Sequence, residues 1–308
     1  MKHVLTVEAA DAGSRIDRFV GARLALSRGT LKSLFERHAV RVGGRWAKKG
    51  DTLALGEVVE VDHDETQVAV RPDDGVRLDV LYEDEALIFV DKPASVPCHP
   101  LKPDETGTVA NALVARYPEL EGVGDDPREA GLCHRLDVET SGVLVAARTR
   151  RAWDAMRAMF SEEGQVDKRY LALAAGPLDS EGVIELPLAH AGDHVRPSGV
   201  ADGRPARSEF KVLARKGAFA LVEVRLVTGV LHQVRAHLAA IGAPIVGDTL
   251  YDGPEEAGLK RFFLHAASLG VNHPETGRRL EVRAPLPAEL VAVLERRIPQ
   301  ASALLLPT

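Results

Sequence analysis

The stretch that decides the fold is Cys133-His134-Arg135-Leu136-Asp137-Val138-Glu139-Thr140-Ser141-Gly142-Val143-Leu144-Val145-Ala146-Ala147. Its last five residues form an apolar run that predicts a buried strand. The residues before the run form a short polar loop. Asp137 in that loop could simply hydrogen-bond within a turn that Gly142 closes, which is common for aspartate. The alternative is that the Asp137 carboxylate lies beside Arg135, at the start of a core strand, because it takes part in catalysis.

A second polar cluster, Thr228-Gly229-Val230-Leu231-His232-Gln233-Val234-Arg235, lies at another predicted strand-to-helix junction. The helix is predicted over 232–241, and Gly242 and Pro244 end it. His232 and Arg235 share one of its faces. A carboxylate that must stay ionised in a partly dry cleft needs a permanent cation nearby, because desolvation favours the protonated form. Arginine suits that task because it does not deprotonate. The two clusters together favour a functional site.

Length and composition are those of an ordinary water-soluble enzyme or binding protein. The 308 residues are enough for one large domain or two unequal ones. No apolar run is long enough to cross a membrane. Two cysteines, Cys98 and Cys133, cannot form a disulfide framework and suit the reducing cytoplasm. We therefore expect a cytoplasmic protein without a membrane segment.

Motifs for other kinds of site are missing from the sequence. There is no glycine-rich phosphate-binding loop and no metalloprotease motif. The pairs Cys98-His99 and Cys133-His134 could in principle bind one metal ion, but their spacing matches no zinc finger. We expect no metal site.

The net charge of −6 is unevenly spread along the chain. Residues 15–49 contain ten basic side chains against two acidic ones, Asp17 and Glu36. Such a window can bind a polyanion, or it can simply be a solvated basic face. Composition alone leaves both interpretations open.

The pattern along the chain predicts two unequal parts. Residues 1–62 are typical of a small module with two short helices and a few short strands, with Ser14 capping the first helix and the second beginning near Ser27. Residues 63–77 are polar and contain a Pro-Asp-Asp-Gly turn, which indicates a linker. Residues 78–308 mix strands and helices without regular alternation. That favours an α+β domain with a mixed, mostly antiparallel sheet.

Several ordered segments of the second part share the motifs of one enzyme family. They are IFVDKPA (88–94), CHP (98–100), HRLDVETSG (134–142), KRYLAL (168–173), HQVRAHL (232–238), GAPIVGD (242–248) and LHA (264–266). Together they resemble the RluA family of pseudouridine synthases, and the resemblance covers nearly the whole chain. Residues 27–28 and 40–44 of the first part resemble the S4 RNA-binding domain.

The resemblance implies a pseudouridine synthase fold with a central cleft over 78–308 and an S4-like module over 1–62. It implies an enzyme that isomerises uridine in RNA to pseudouridine without a cofactor or metal. The expected substrate is large-subunit ribosomal RNA, with tRNA as the alternative. We expect a monomer.

The resemblance also assigns expected roles to individual residues. Asp137 matches the catalytic aspartate of the family, and Arg235 matches the arginine that pairs with it. Tyr170 matches the tyrosine that stacks on the target base. Leu264 matches an apolar residue near that base, and Arg135 matches an arginine that helps to occupy the place of the displaced nucleotide.

The basic window has a role if the S4 resemblance holds. Its side chains would contact phosphates and position the RNA without reading its bases. The expected RNA-binding residues are Arg15, Arg18, Arg28, Lys32, Arg37 and Arg41.

The sequence departs from the family at Val230, where an arginine is usual, and Gly43-Gly44 replaces the usual Asn-Gly of the S4 turn. The missing arginine removes a charged side chain beside the cleft and, with it, an expected substrate contact. Two alternatives stay open: an RNA-binding or ribosome-assembly protein that lacks the chemistry, and an unrelated hydrolase with His134 or His232 as base.

Overall fold

The computed structural model describes residues 2–24, 26, 28–63, 70–102, 104–192, 194–199 and 202–305, and only the backbone of Arg28, Gly29 and Ser33. The predicted helix start at Ser27, the Arg28 side chain and most of the predicted linker, 64–69, lie outside the described residues. Within the described ranges, no helix is long and apolar enough to span a membrane.

Residues 2–62 form a small antiparallel sheet with two helices. The strands are β1 (Lys2–Thr6), β2 (Val40–Val42), β3 (Arg45–Trp46) and β4 (Val58–Asp62), and the helices are α1 (Ile16–Arg23) and α2 (Arg28–Glu36). The strand order is β1-β4-β2-β3. The helices and the sheet bury a common core that includes Ile16, Phe19, Leu34, Val40, Val59 and Val61.

The predicted cap on the first helix is wrong. Arg15 is the N-cap residue of α1, and its own side chain makes no capping hydrogen bond. The Ser14 hydroxyl instead donates to the carbonyl of Asp11, at 2.5 Å. Asp17 accepts from the Arg15 guanidinium, at 2.9–3.0 Å. Both side chains are thus used in local contacts that compete with the capping box.

The rest of the chain is built on one large mixed sheet. Its strands are β5 (Asp79–Glu83), β6 (Leu87–Lys92), β7 (Ser141–Ala147), β8 (Asp167–Ala175), β9 (Glu181–Glu185), β12 (Arg207–Lys216), β13 (Phe219–Leu226), β14 (Leu264–Asn272) and β15 (Arg279–Arg283). The order is β5-β6-β7-β14-β8-β13-β12-β9, with β15 also paired to β14. Among the described pairs only β7 and β14 run parallel. This confirms the predicted α+β fold with a mostly antiparallel sheet.

Helices cover the large sheet, and a hairpin stands beside it. The helices are α3 (Val109–Arg116), α4 (Arg150–Ser161), α5 (Gln233–Ala240) and α6 (Ala288–Arg297), and the hairpin is β10 (Leu188–Ala191) with β11 (His194–Pro197). The two faces of the sheet belong to separate apolar cores. Every residue of β7 is buried, which explains the apolar run over its last five residues.

Two glycines fix the elements that border the site. Gly142 has φ +118°, and a Cβ there would lie 2.2 Å from the Ala266 carbonyl oxygen, so only glycine lets β7 approach β14 this closely. Gly242, at φ +79°, ends α5, and its N–H donates to the Ala239 carbonyl. The helix predicted over 232–241 is thereby confirmed to within one residue at each end.

Candidate active site

A cleft of about 570 Å³ opens where the loop before β7, strand β8, helix α5 and the start of β14 meet. All five residues expected in the catalytic part line it: Arg135, Asp137, Tyr170, Arg235 and Leu264. They come from four segments spread over about 130 positions of the sequence. The fold therefore brings them together.

The Asp137 carboxylate is partly open to the cleft, with 20% of its side chain exposed. The backbone does form the predicted turn, because the Thr140 N–H donates to the Asp137 carbonyl at 3.0 Å. Within the described residues, however, the carboxylate itself accepts no hydrogen bond. Its oxygens lie 3.5 Å from Nη1 of Arg235 and 3.8 Å from Nε2 of His232. The side chain is thus not used to build the turn.

Arg235 is buried, and a second carboxylate orients it. Its Nε and Nη2 donate to the two oxygens of Asp248 at 2.7 and 2.8 Å. The guanidinium carbon also lies 4.9 Å from the ring centre of Tyr251 and 4.2 Å from that of Phe262. Nη1 is left to face Asp137. The expected pair of Arg235 and Asp137 is therefore present at ion-pair distance. The hydrogen-bonded partner of Arg235, however, is Asp248, which has no expected role from the sequence.

His232 adds a second nitrogen beside Asp137. It has φ 52° and precedes the first turn of α5. Its Nδ1 lies 3.1 Å from the Tyr251 hydroxyl. Burial lowers the pKa of His232, and the positive charge of Arg235 adds to that effect, although the charge of Asp137 opposes it. The ring thus faces the carboxylate mainly as a neutral group near pH 7.

Tyr170 and Leu264 form an apolar wall of the cleft. Tyr170 lies on β8 opposite Ala266 of β14, and Leu264 begins β14 opposite Ala172. Both side chains are buried. Burial, and then the charge of Asp137, raise the pKa of Tyr170. Its hydroxyl therefore stays protonated at neutral pH and presents a ring rather than a base.

His134 is a wall residue and not a free base. Its Nε2 accepts the backbone N–H of Val145 at 3.3 Å. Its ring stacks on Phe160 with 4.7 Å between ring centres. Burial lowers the pKa of His134 to about 3. Because its lone pair is already used, the hydrolase alternative loses one of its two candidate bases.

Three buried groups hold the loop that carries Asp137. The Cys98 thiol lies 3.3 Å from both the N–H and the carbonyl of Leu136. The Lys92 ammonium donates to the carbonyl of Val138 at 2.9 Å. Burial lowers the pKa of Lys92 to about 8. Neither residue has an expected role from the sequence, although both lie in segments that share the family motifs.

Arg261 is the third of these groups. It donates to the Glu139 carbonyl at 2.9 Å and to the Ser141 hydroxyl at 3.0 Å. Ser141 Oγ lies 2.9 Å from Nδ1 of His265, whose Nε2 faces the Ala284 carbonyl at 3.3 Å. The arginine and the histidine therefore fix the end of the loop through one hydroxyl. No sequence motif identified Arg261 as part of the site.

Arg135 and Val230 stand at more open positions of the cleft. Arg135 is exposed. Val230 packs against a small apolar cluster beneath the β10–β11 hairpin that includes Tyr251. Its N–H donates to the side-chain carbonyl of Gln233 at 3.0 Å. The residue that replaces the family arginine thus belongs to the packing of the cleft wall.

Lys168 lines the cleft but is not among the site residues expected from the sequence. It lies two positions before Tyr170 on β8 and therefore projects from the same face of the strand. Its ammonium lies 3.5 Å from the Thr228 carbonyl and 6.0 Å from the ring centre of Phe160. Burial lowers the pKa of Lys168. It places a cation in the cleft beside the tyrosine.

The described parts of the chain contain no cluster of side chains with metal-binding geometry. No group of three or more His, Cys, Asp or Glu side chains there could hold an ion. Cys98 contacts the loop as described, and Cys133 is buried with its sulfur 3.5 Å from the Gly131 carbonyl. Burial raises the pKa of the Cys133 thiol. Both cysteine sulfurs therefore contact backbone groups.

The basic residues expected to bind RNA lie in the N-terminal module, and none of those described lines the cleft. Arg15 pairs with Asp17 at 2.9 Å, and Lys32 lies 3.7 Å from Glu36. Arg37 donates to the carbonyl of Asp62, and Arg41 lies over the ring of Trp46. Arg18 is exposed.

Comparison with known proteins identifies this arrangement. Residues 86–240 match the family model described as RNA pseudouridylate synthase. An uncharacterised RNA pseudouridine synthase of Chloroflexus aurantiacus is 39% identical over 98% of this chain and 95% of its own length. Ribosomal large subunit pseudouridine synthase D of Xanthomonas campestris is 38% identical over 91% of this chain and 87% of its own.

A solved structure agrees with the sequence relatives. Human RNA pseudouridylate synthase domain containing 4 is 27% identical and superimposes with a TM-score of 0.57, over 70% of this chain and 92% of that one. The fold, the motifs around Asp137 and these relatives agree with one another. The chain belongs to the RluA-type members of the RNA pseudouridylate synthase family and is an RNA pseudouridine synthase.

Proposed function

We propose that this enzyme isomerises uridine in large-subunit ribosomal RNA and that Asp137 is its catalytic carboxylate. The relatives from Xanthomonas campestris, Nitrosomonas europaea and Pseudomonas aeruginosa are all named for the large ribosomal subunit, which supports that substrate. The observation that carries the site assignment is the Asp137 carboxylate. This carboxylate is open to the cleft and accepts no hydrogen bond from the described residues. It lies 3.5 Å from the buried guanidinium of Arg235.

The reaction breaks the bond between N1 and C1′ of a uridine, rotates the uracil and joins C5 to C1′. Asp137 can act by attack at C1′, by attack at C6 or by removal of the 2′ proton. Each of these routes needs an ionised carboxylate. Arg235 places a permanent positive charge 3.5 Å from the carboxylate, because its Nη1 faces Asp137 while Asp248 holds the rest of the guanidinium in place.

The detached uracil needs a surface that keeps it in the cleft. The Tyr170 ring offers one, since stacking on an aromatic side chain contributes roughly 1–3 kcal/mol per base. Leu264 provides a second apolar contact on the neighbouring strand. The target uridine must leave its stack to reach them, which costs about a few kcal/mol. We expect a target in a loop or bulge, with Arg135 occupying the position that the nucleotide leaves.

The N-terminal module would hold the RNA from outside the cleft. We propose that 1–62 act as an S4-like RNA-binding domain, that 63–77 link it to the catalytic domain and that 78–308 carry the reaction. The exposed side chains of Arg15, Arg18 and Lys32 support this role. Such residues contact phosphates and give affinity without reading the base sequence.

Tritium release from C5 of uridine tests the proposal. Unmodified large-subunit ribosomal RNA and bulk tRNA, both labelled at C5, are incubated with the wild type, with Asp137→Asn and with Glu139→Gln. Glu139 is the matched control because it is a carboxylate of the same loop that accepts a hydrogen bond from Ser95 and does not line the cleft. We expect release from the ribosomal RNA with the wild type and the control, and none with Asp137→Asn.

Other outcomes decide between the alternatives. Release from tRNA alone would overturn the ribosomal substrate and keep the catalytic assignment. Full activity of Asp137→Asn would overturn the role of the carboxylate. Binding without release from either RNA would favour a protein that binds RNA without catalysis, and Val230→Arg would then be the next variant.

A further inference from the structure

The sheet of the N-terminal module has one covered and one open face. Val40, Ala47 and Val59 point toward the helices and belong to the buried core. Side chains alternate along a strand, so their neighbours point the other way. Strand pairing aligns Val4, Glu60, Arg41 and Trp46 in one row across all four strands. The row crosses the face of the sheet that the helices leave open.

Trp46 is the exceptional residue of that row. It is 54% exposed, whereas the other tryptophan of the chain, Trp153, is 3% exposed. The Arg41 guanidinium lies 3.7 Å from the centre of the Trp46 ring. The His38 ring centre is 5.7 Å away. A single exposed apolar residue needs no explanation, but the ring of this one is contacted by a cation, the Arg41 guanidinium.

We propose that Trp46 and Arg41 form a platform on which an unpaired base of the RNA substrate stacks. The proposal rests on RNA binding by the module as described above. An indole ring stacks on any base, because every base has a π-face. Aromatic side chains on an open sheet face are one of the ways in which proteins bind single-stranded RNA. The platform would add a contact to single-stranded segments that phosphate contacts alone cannot provide.

Tryptophan fluorescence of the full-length protein tests the platform directly. The chain has only two tryptophans, and Trp153 is buried with its indole N–H donated to the Leu132 carbonyl. The part of a fluorescence change on RNA binding that Trp46→Ala abolishes therefore reports Trp46. The probes are a single-stranded RNA of twelve nucleotides and a duplex of the same sequence. Binding is measured independently by the anisotropy of a dye on the RNA.

We expect the single strand to quench Trp46 emission more than the duplex does. Trp46→Ala should bind the single strand about tenfold more weakly, and Trp46→Phe should retain most of the affinity because it keeps a ring. The slope of log K against log[salt] should stay unchanged, since stacking releases no counterions. Leu55→Ala is the matched control, because Leu55 is another exposed apolar residue of the module, at 66%, in the turn before β4.

The outcomes separate this inference from the proposed function. If the wild type binds the single strand without quenching, and Trp46→Ala binds it as tightly, the platform is overturned while RNA binding stands. Equal losses for Trp46→Ala and Leu55→Ala would likewise overturn it. A wild type that binds neither RNA would overturn both the platform and RNA binding by the module.

Discussion

The cleft and the N-terminal module hold their cationic side chains in different ways. Lys92 and Arg235 are buried and donate to fixed partners. Arg15 and Lys32 keep 51% and 68% of their side-chain surface exposed. A buried charge fixes the position of other atoms, whereas an exposed charge acts on RNA mainly through counterion release. We therefore expect substitutions in the cleft to change stability and rate, and those in the module to change affinity.

The largest effect should come from Asp248→Asn. The change removes the charge that balances a buried guanidinium, and breaking such a pair typically costs roughly 3–5 kcal/mol of stability. The kcat for pseudouridine formation should also fall at least tenfold, because Arg235 is no longer held toward Asp137. Urea denaturation and tritium release measure the two effects.

A carboxylate between two partly exposed arginines provides the control. Asp167 accepts one N–H from each of Arg169 and Arg225, both at 2.9 Å, and 26% of its side chain is exposed. Asp167→Asn should cost about 1 kcal/mol or less. Equal destabilisation by the two substitutions would refute the distinction between buried and exposed charge.

Low pH should destabilise the contact between His265 and Ser141 at the end of the Asp137 loop. Burial lowers the pKa of His265 from 6.5 to about 4, and Arg261 adds to the shift. Between those values the unfolded chain binds a proton that the folded protein does not, so the free energy of unfolding falls as pH drops from 7 to 4. The loss from this residue is up to about 3 kcal/mol.

His265→Asn tests the acid prediction, because the variant cannot titrate there. Urea denaturation at pH 7, 5.5 and 4 should show a smaller acid loss in the variant than in the wild type. The stability difference between them should therefore shrink toward pH 4. Parallel stability curves would show that His265 does not carry the effect.

Lys92→Met should lower the rate without weakening RNA binding. The change leaves the Val138 carbonyl without its buried donor, a loss of about 1–3 kcal/mol, which would loosen the loop that positions Asp137. We expect kcat to fall about tenfold to a hundredfold and the Kd for RNA to stay within about twofold. Lys102→Met, at an exposed lysine, is the matched control. A raised Kd with normal kcat would contradict this positioning role.

Local patterns in the sequence predicted the elements around the site better than the contacts between them. The apolar run of β7 and the glycine that ends α5 are local features, and the structure confirms both. The hydrogen bond from Lys92 to Val138 joins residues 46 positions apart, and the one from Arg261 to Ser141 joins residues 120 positions apart. Such contacts depend on the strand order, in particular on the parallel pairing of β7 with β14. Periodicity carries no information about that pairing.

The smallest effect should come from a single exposed cation of the module. Arg18 is exposed, and no ion pair to it is found among the described residues, so its loss should leave stability and kcat unchanged. If it contacts one phosphate, Arg18→Gln should flatten the slope of log K against log[salt] by about 0.7–0.9 and weaken binding about two- to threefold. Lys211→Gln makes the same charge change at an exposed site on β12. Identical slopes for the two variants would mean that RNA is attracted only by the net charge of the protein. The exposed cations of the module would then have no specific role in RNA affinity.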